Sequence, residues 1–454
     1  MNNIEKLISS IYENFFIIVY SFMQKQEKFF LIIFLIIFVS LFINYNLNCR
    51  NNELEQISQG EQVLTPQKAV NIAIHNNPQL KKFLETINQK QVEKYAAYGL
   101  YSPSVIYTQE GIPVGNSTQF SEKRWTVSQD LEFPYFSYLK IKQIDEQVKA
   151  LQLEYEWRKK ELIAEIKQSY TRVVYFIELI KLRNDIKEIA DKLYEIVKSK
   201  VELGQISNLD LLNAEISKME AENDYNDAVR NLMIARYDLF YSMGLDLEYQ
   251  QYTIEFLDSL RYFEFSIPQE EILMNLEKTY DYQSASKNER ANSLMVSQAW
   301  SSLLPSLNLN YYKQNYTDGF KYTGFEIGIK VPLWLGLDKR TEIEQAKSKH
   351  RESQLGLYET RLRIKRQIEH AWHSFDISRE IILNYKNNIS DKSQKLLELT
   401  LESYQLGQTD LLNLLNVQKT YVNSKIRYLD ALMDYYKQII DLEKYLDNEV
   451  VFVN

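Results

Sequence analysis

Two periodicities alternate along the chain, one helical and one of period two, and the pair occurs twice in the same order. Leu64-Thr65-Pro66 opens the first helical stretch, with Thr65 placed to N-cap it and Pro66 at the first helical position. Ala69, Ala73, Asn77, Pro78 and Leu80 carry the pattern on to about Leu100, which predicts one helix of roughly 35 residues ended by Pro103. The period then changes. Val105 and Tyr107 fall at alternate positions before the turn-rich Gly111-Ile112-Pro113-Val114-Gly115. Beyond that turn, Trp125, Val127, Leu131 and Phe133 share one face, and Arg124, Thr126, Ser128, Asp130 and Glu132 share the other. Two strands joined by a loop of about ten residues fit this pattern.

About two hundred residues later the same change of period returns, with Pro305-Ser306 in the place of Pro103-Ser104. Leu307, Leu309 and Tyr311 alternate with Asn308 and Asn310; past Asp318-Gly319, Thr323, Phe325, Ile327, Ile329 and Val331 alternate with Gly324, Glu326, Gly328 and Lys330. Four such strands per chain can be half-buried against helices, or can face lipid on one side and water on the other. A tilted strand of about 9–11 residues spans a bilayer. Four strands cannot close a barrel, and an open sheet edge is not tolerated in lipid, so the membrane reading demands an oligomer.

Each strand pair is followed by a very long helical stretch, from Tyr135 to Leu203 and from Gly336 to Leu406. Each is near 70 residues, or about 100 Å at ~1.5 Å per residue. No proline occurs between Pro134 and Pro268 or after Pro332. The helical stretches before each strand pair and after each long helix are about half as long. Two of them stacked end to end would cover one long helix. The predicted fold class is therefore mainly α with a small β part: duplicated antiparallel helical hairpins forming a coiled-coil tunnel, with the strands at one end.

The duplication is clearest at the far end of the hairpins. Leu203-Gly204-Gln205-Ile206-Ser207-Asn208-Leu209-Asp210-Leu211-Leu212-Asn213 returns as Leu406-Gly407-Gln408-Thr409-Asp410-Leu411-Leu412-Asn413-Leu414-Leu415-Asn416. Aligned from the glycines onward without a gap, the copies share both Gly-Gln pairs, three leucines (Leu209/Leu412, Leu211/Leu414, Leu212/Leu415) and Asn213/Asn416. Each glycine suits a positive-φ helix C-cap. Ser207 or Asn208 in the first copy, and Thr409 or Asp410 in the second, can N-cap the helix that follows. These are two hairpin tips of one duplicated plan. The chain divides accordingly into a leader (1–48), a polar linker (49–62), a first repeat (63–244), a link (245–266), a second repeat (267–447) and a tail (448–454).

Composition narrows the class of function. A net charge of −8 with acidic and basic residues interleaved argues against nucleic acid as a partner. Tyrosine is frequent, at 33 residues, which suits water–lipid interfaces as well as ordinary packing. The single cysteine, Cys49, follows an apolar run from Phe29 to Ile43 that Lys25 and Lys28 precede. Such a run is short for a membrane span and about right for the core of a signal peptide. Translation from Met23 would give a signal ending at Asn48. Cys49 would then be the first mature residue and a lipidation site, although Asn46-Leu47-Asn48 departs from the usual lipobox; an uncleaved membrane anchor is the alternative.

With these motifs in order, the chain resembles the TolC-like outer membrane efflux proteins over about residues 62–447. Leu64-Thr65, Ala69, Ala73, Asn77-Pro78 and Leu80 match that family's N-terminal signature, Leu304-Pro305-Ser306 the motif entering the second strand pair, and Gly204 and Gly407 its hairpin turns. The resemblance implies a homotrimer with a twelve-stranded outer-membrane barrel continuous with a periplasmic helical tunnel. It implies docking of a periplasmic adaptor, bound in turn to an inner-membrane transporter, at Leu203, Gly204, Gln205, Leu406, Gly407 and Gln408. It also places pore-constricting aspartates at Asn413 and Asn416, which are neutral here.

No phosphate loop, nucleophile elbow or HExxH motif is present, no cofactor is implied, and an enzyme is not expected. His370 and His373 stand at i, i+3, but only four histidines occur in the chain, so a helix surface is the expected setting and a shared metal the weaker reading. Asp210, Asn213, Asn413 and Asn416 fall on the first turns after the tips. They can cap helices and complement the helix dipole, or ring a tunnel entrance. An export duct is the favoured function; a periplasmic coiled-coil adaptor or scaffold without a channel is the alternative.

Overall fold

The computed structural model describes residues 63–99, 101–112, 120–245, 254–256, 258–331, 339–446 and 450–452, all within one compact unit, Glu55–Asn454. The leader and Cys49 lie outside the described residues. In chain order the elements are α1 (Pro66–Asn76), α2 (Pro78–Ala97), β1 (Ser104–Glu110), β2 (Glu122–Leu131), α3 (Pro134–Glu202) and α4 (Asn208–Ser242). The second repeat supplies α5 (Gln269–Met274), a 3-10 turn (Leu276–Lys278), α6 (Tyr280–Ser301), β3 (Ser306–Tyr316), β4 (Lys321–Lys330), α7 (Arg340–Asn384), a π-turn (Tyr385–Ile389), α8 (Ser390–Gln405) and α9 (Leu411–Glu443).

The first expected helix is in fact two. Pro78 has no N–H to give and drives the residue before it out of the α region, so Asn77 turns extended (φ −57°, ψ 120°). Its side-chain Oδ1 then accepts from the Gln79 and Leu80 amides at 2.9 and 3.1 Å and caps the second helix. Asn77 Nδ2 donates to the Ser242 carbonyl at 3.2 Å, at the C-terminal end of α4. Gly244 packs there at φ +73°, where a Cβ would sit 2.9 Å from the Asn76 carbonyl oxygen. Thus α2 and α4 meet end to end, and both lie along α3, which runs unbroken for 69 residues. Ion pairs stitch α4 to α3, among them Arg183–Asp224 at 2.5 Å and Lys218–Asp191 at 3.1 Å. Exposed as they are, each contributes about 0–1 kcal/mol, and the small residues Ala214, Ala221, Ala228 and Ala235, at every seventh position, set the close helix approach.

The second long helix departs from expectation. At Tyr385–Ile389 it widens into a π-turn, where the first repeat, 203 residues earlier, is ordinary α-helix. Asn387 and Asn388 are weak helix formers, and the widened turn sets the buried Tyr385 ring against Tyr428, stacked at 4.5 Å.

At the middle of the molecule, an aromatic core ties both repeats to the link between them. Tyr170, Tyr435, Phe240 and Phe375 are fully buried. Tyr435 and Tyr436 donate to the carbonyls of Phe263 and Arg261, both at 2.9 Å, and Tyr170 donates to Asp258. Burial raises the Tyr170 hydroxyl well above its usual pKa, with the Asp258 carboxylate adding to the effect. The buried pair Lys167–Glu443, at 2.9 Å, holds the chain's last described residues, since Glu443 also accepts from the Val450 and Val451 amides.

The four strands form one antiparallel sheet in sequence order, so β2 and β3, from different repeats, are central neighbours. Apart from Ile106, which lies opposite beside Thr126 and Tyr312, most of the apolar positions in this register fall on one face. That face is not packed on helices: Val105, Trp125, Phe325, Ile327 and Ile329 are each half or more exposed. The reading of the strands as half-buried against helices is therefore corrected.

Candidate functional site: the paired hairpin tips

At the end of α3, Gly204 takes φ +70°, its amide donates to Val201 and the Gln205 amide donates to Lys200, both at 2.9 Å. At the end of α8, Gly407 takes φ +73°, its amide donates to Tyr404 at 3.1 Å and the Gln408 amide to Ser403 at 2.8 Å. Both are Schellman closures, which satisfy the last carbonyls of each helix and reverse the chain. Leu203 and Leu406 cap the helices with their side chains about 70% exposed (72% and 68%), and Leu209 and Leu412 are each 66% exposed one turn on. The tips therefore end in four bare leucines flanked by the exposed amides Gln205 and Gln408.

The N-caps settle on Ser207 and Asp410. The first tip closes a reciprocal box: the Asp210 amide donates to Ser207 Oγ at 3.3 Å, and Asp210 Oδ2 accepts from the Ser207 amide at 3.2 Å and hydroxyl at 3.0 Å. In the second, Asp410 Oδ1 accepts from the Asn413 amide at 2.7 Å and Asn413 Nδ2 donates to Thr409 Oγ1 at 2.9 Å. Asp210 and Asn413 thus occupy the same third helical position of their repeats, and Asn213 and Asn416 are exposed one turn further.

Residues that sequence reasoning passed over hold the two tips together. Tyr404 is 3% exposed, in one apolar cluster with Leu193, Val197 and Ala214 of the first hairpin and Leu397, Leu411 and Leu414 of the second. Lys200 reaches across from α3, its Nζ 3.0 Å from the Tyr404 carbonyl oxygen and 4.4 Å from the ring centroid. Burial pushes the Tyr404 hydroxyl above its usual pKa, and the carboxylate of Asp210 adds to the shift. The available signal was an asymmetry: Tyr404 aligns with Val201, a large ring where the other copy has a small side chain.

His370 and His373 are both exposed on α7, and among the described residues no three ligating side chains converge. Trp372, between them, donates to the Ile267 carbonyl at 3.0 Å and anchors the start of the second repeat.

The fold has close counterparts among solved structures. A membrane protein from Pseudomonas aeruginosa superimposes with a TM-score of 0.73 at 15% identity, over 87% of this chain and 100% of that one. The CmeC outer membrane channel of Campylobacter jejuni gives 0.70 at 18% identity, over 88% and 93%. The open state of the MtrE outer membrane channel of Neisseria gonorrhoeae gives 0.71 at 16% identity, over 87% and 94%. Among curated proteins, none matches by sequence. A family profile described as outer membrane efflux protein matches residues 121–245 and 274–448, well over half of the chain and both repeats. With its four-stranded sheet, its duplicated helical hairpins and this match, the chain belongs to the outer membrane efflux protein family.

Proposed function

We propose that three copies of this chain form a passive duct of a tripartite efflux or type I secretion system, carrying substrate from an inner-membrane transporter and its periplasmic adaptor through the outer membrane. One observation carries the reading. The sheet exposes an apolar face and leaves β1 and β4 as unpaired edges, and lipid tolerates neither open edges nor a sheet that does not close. Three copies supply twelve strands, joined β4 to β1, with the apolar face toward lipid and the polar face toward water. The helical hairpins then extend into the periplasm and present the leucine-bearing tips, Leu203-Gly204-Gln205 and Leu406-Gly407-Gln408, to the adaptor. Asp210, Asn213, Asn413 and Asn416 surround the entrance. Cys49 anchors the mature chain by acylation after removal of the leader; a fatty-acid label that Cys49→Ala fails to lose would rule this out.

Cross-linking of intact outer membranes followed by detergent extraction tests the assembly. A trimer that resists dissociation is expected, and recovery of a soluble monomer alone would end the duct reading.

A further inference from the structure

The register separates charge across the sheet. On the polar face stand Glu110, Glu122, Asp130 and Glu326 with Arg124 and Lys330. The apolar face carries no carboxylate, and its three charges are all lysines at the hairpin end. Lys123 and Lys321 both pair with Asn315, on either side of β3, and Lys313 lies two residues along the same strand. At ~4.8 Å between strands and ~3.4 Å per residue, the three Cα atoms form a triangle with sides of about 7–10 Å. No carboxylate among the described residues pairs with any of them; Lys123 instead lies over the Phe120 ring at 4.0 Å.

Just inside the lysines, toward the helices, Trp125 and Tyr107 pack at 4.7 Å between ring centroids, and beyond them the face is almost wholly apolar. This is the order in which a barrel meets a bilayer: hydrocarbon, then an aromatic girdle, then headgroups. Long lysine stems reach to the charged layer, and no acid among the described residues satisfies them there.

We propose that Lys123, Lys313 and Lys321 form a binding surface for a phosphorylated lipid headgroup of the outer leaflet, held from outside the barrel. The proposal rests on the membrane reading above and adds the lipid class. The three cations answer a headgroup bearing more than one phosphate, while acyl chains lie along the Val127 and Phe325 face.

The test reconstitutes the trimer into phosphatidylcholine nanodiscs and adds a diphosphorylated glucosamine-disaccharide lipid or its dephosphorylated form, counting retained lipid by native mass spectrometry. Each lysine near an anionic headgroup contributes on the order of fivefold, so wild type should prefer the phosphorylated lipid by about a hundredfold at low salt. Lys123→Gln/Lys313→Gln/Lys321→Gln should abolish that preference, and Lys330→Gln, the same change of charge on the opposite face, should keep it. Should the triple variant fail to assemble, each single variant should lose roughly fivefold. Equal retention of the two lipids by wild type, an unchanged preference in the lysine variants, or displacement by inorganic phosphate overturns the proposal. Wild type that will not enter the discs overturns the membrane reading itself; wild type that enters without a phosphate preference overturns only this proposal.

Discussion

The two hairpin tips share a backbone and differ in where they keep their carboxylate. In the first, serine is the N-cap and aspartate sits three residues on; in the second, aspartate is the N-cap and asparagine sits three residues on. Either arrangement satisfies the orphan amides of the first helical turn and puts a negative charge at the positive end of the helix dipole. The consequence differs. Asp210 is half-buried and acts on Tyr404 of the other hairpin, whereas Asp410 is exposed and bonds only within its own turn. Conserving the turn through duplication thus left the electrostatics of the entrance free to diverge.

The contrast is sharpest at the contact between the tips. Tyr404→Ala should cost about 3–4 kcal/mol locally, because it empties a buried aromatic site, while Val201→Ala at the aligned, half-buried position should cost under about 1 kcal/mol. Amide hydrogen exchange over residues 205–216 and 408–419 reads both. Equal protection loss in the two variants would mean that each tip is held independently and that Tyr404 does not join them.

The glycines should behave alike where the tyrosine and valine differ. A Cβ at Gly204 or Gly407 would meet nothing within 4 Å, so valine at either is opposed by positive φ alone, at roughly 1–2 kcal/mol. Both variants should weaken adaptor cross-linking more than trimer formation. A loss at only one tip would show that the adaptor engages the hairpins unequally, and no loss at either would remove the tips as its docking site.

Smaller effects separate capping from charge at the entrance. Ser207→Ala and Asp410→Ala should each cost about 1 kcal/mol in their own tip, and Asp210→Asn about half that. If Asp210 also borders the lumen, Asp210→Asn lowers cation selectivity in planar bilayers, and alanine at Asn413 and Asn416 raises open probability without changing selectivity. Unchanged reversal potentials in Asp210→Asn would leave it a capping role only.

Much of this was legible in the sequence because it rests on local chemistry. The glycine turns, the period of two in the strands and the absence of proline from α3 beyond its first residue, Pro134, each follow from one or a few neighbouring residues. The break at Asn77 was readable from Pro78, yet a helical pattern on both sides concealed it. The π-turn and the Tyr404–Lys200 contact were not readable. Both depend on where a side chain lands in a neighbouring helix: Tyr385 on Tyr428, and Tyr404 on residues about 200 positions away. The choice of N-cap among adjacent polar residues likewise needed the geometry, since Ser207 and Asn208 are chemically near equivalent as caps.

The finest test of the comparison removes a single oxygen. Among the described residues the buried Tyr404 hydroxyl has no hydrogen-bond partner, while its ring keeps the Lys200 contact and the shared apolar cluster. Deleting a buried polar group that bonds to nothing relieves desolvation and sacrifices no bond. Tyr404→Phe should therefore leave tip protection unchanged or improve it by up to about 1 kcal/mol. The pH dependence has a definite sign. Burial, reinforced by Asp210, raises the pKa of the folded hydroxyl, so its contribution is full below the ordinary tyrosine range and is lost as pH rises through and above that range. The phenylalanine variant lacks this loss, and its urea midpoint should fall less steeply than wild type on the alkaline side. If Tyr404→Phe instead loosens the tips by more than about 1 kcal/mol, the hydroxyl has a partner in the assembled protein.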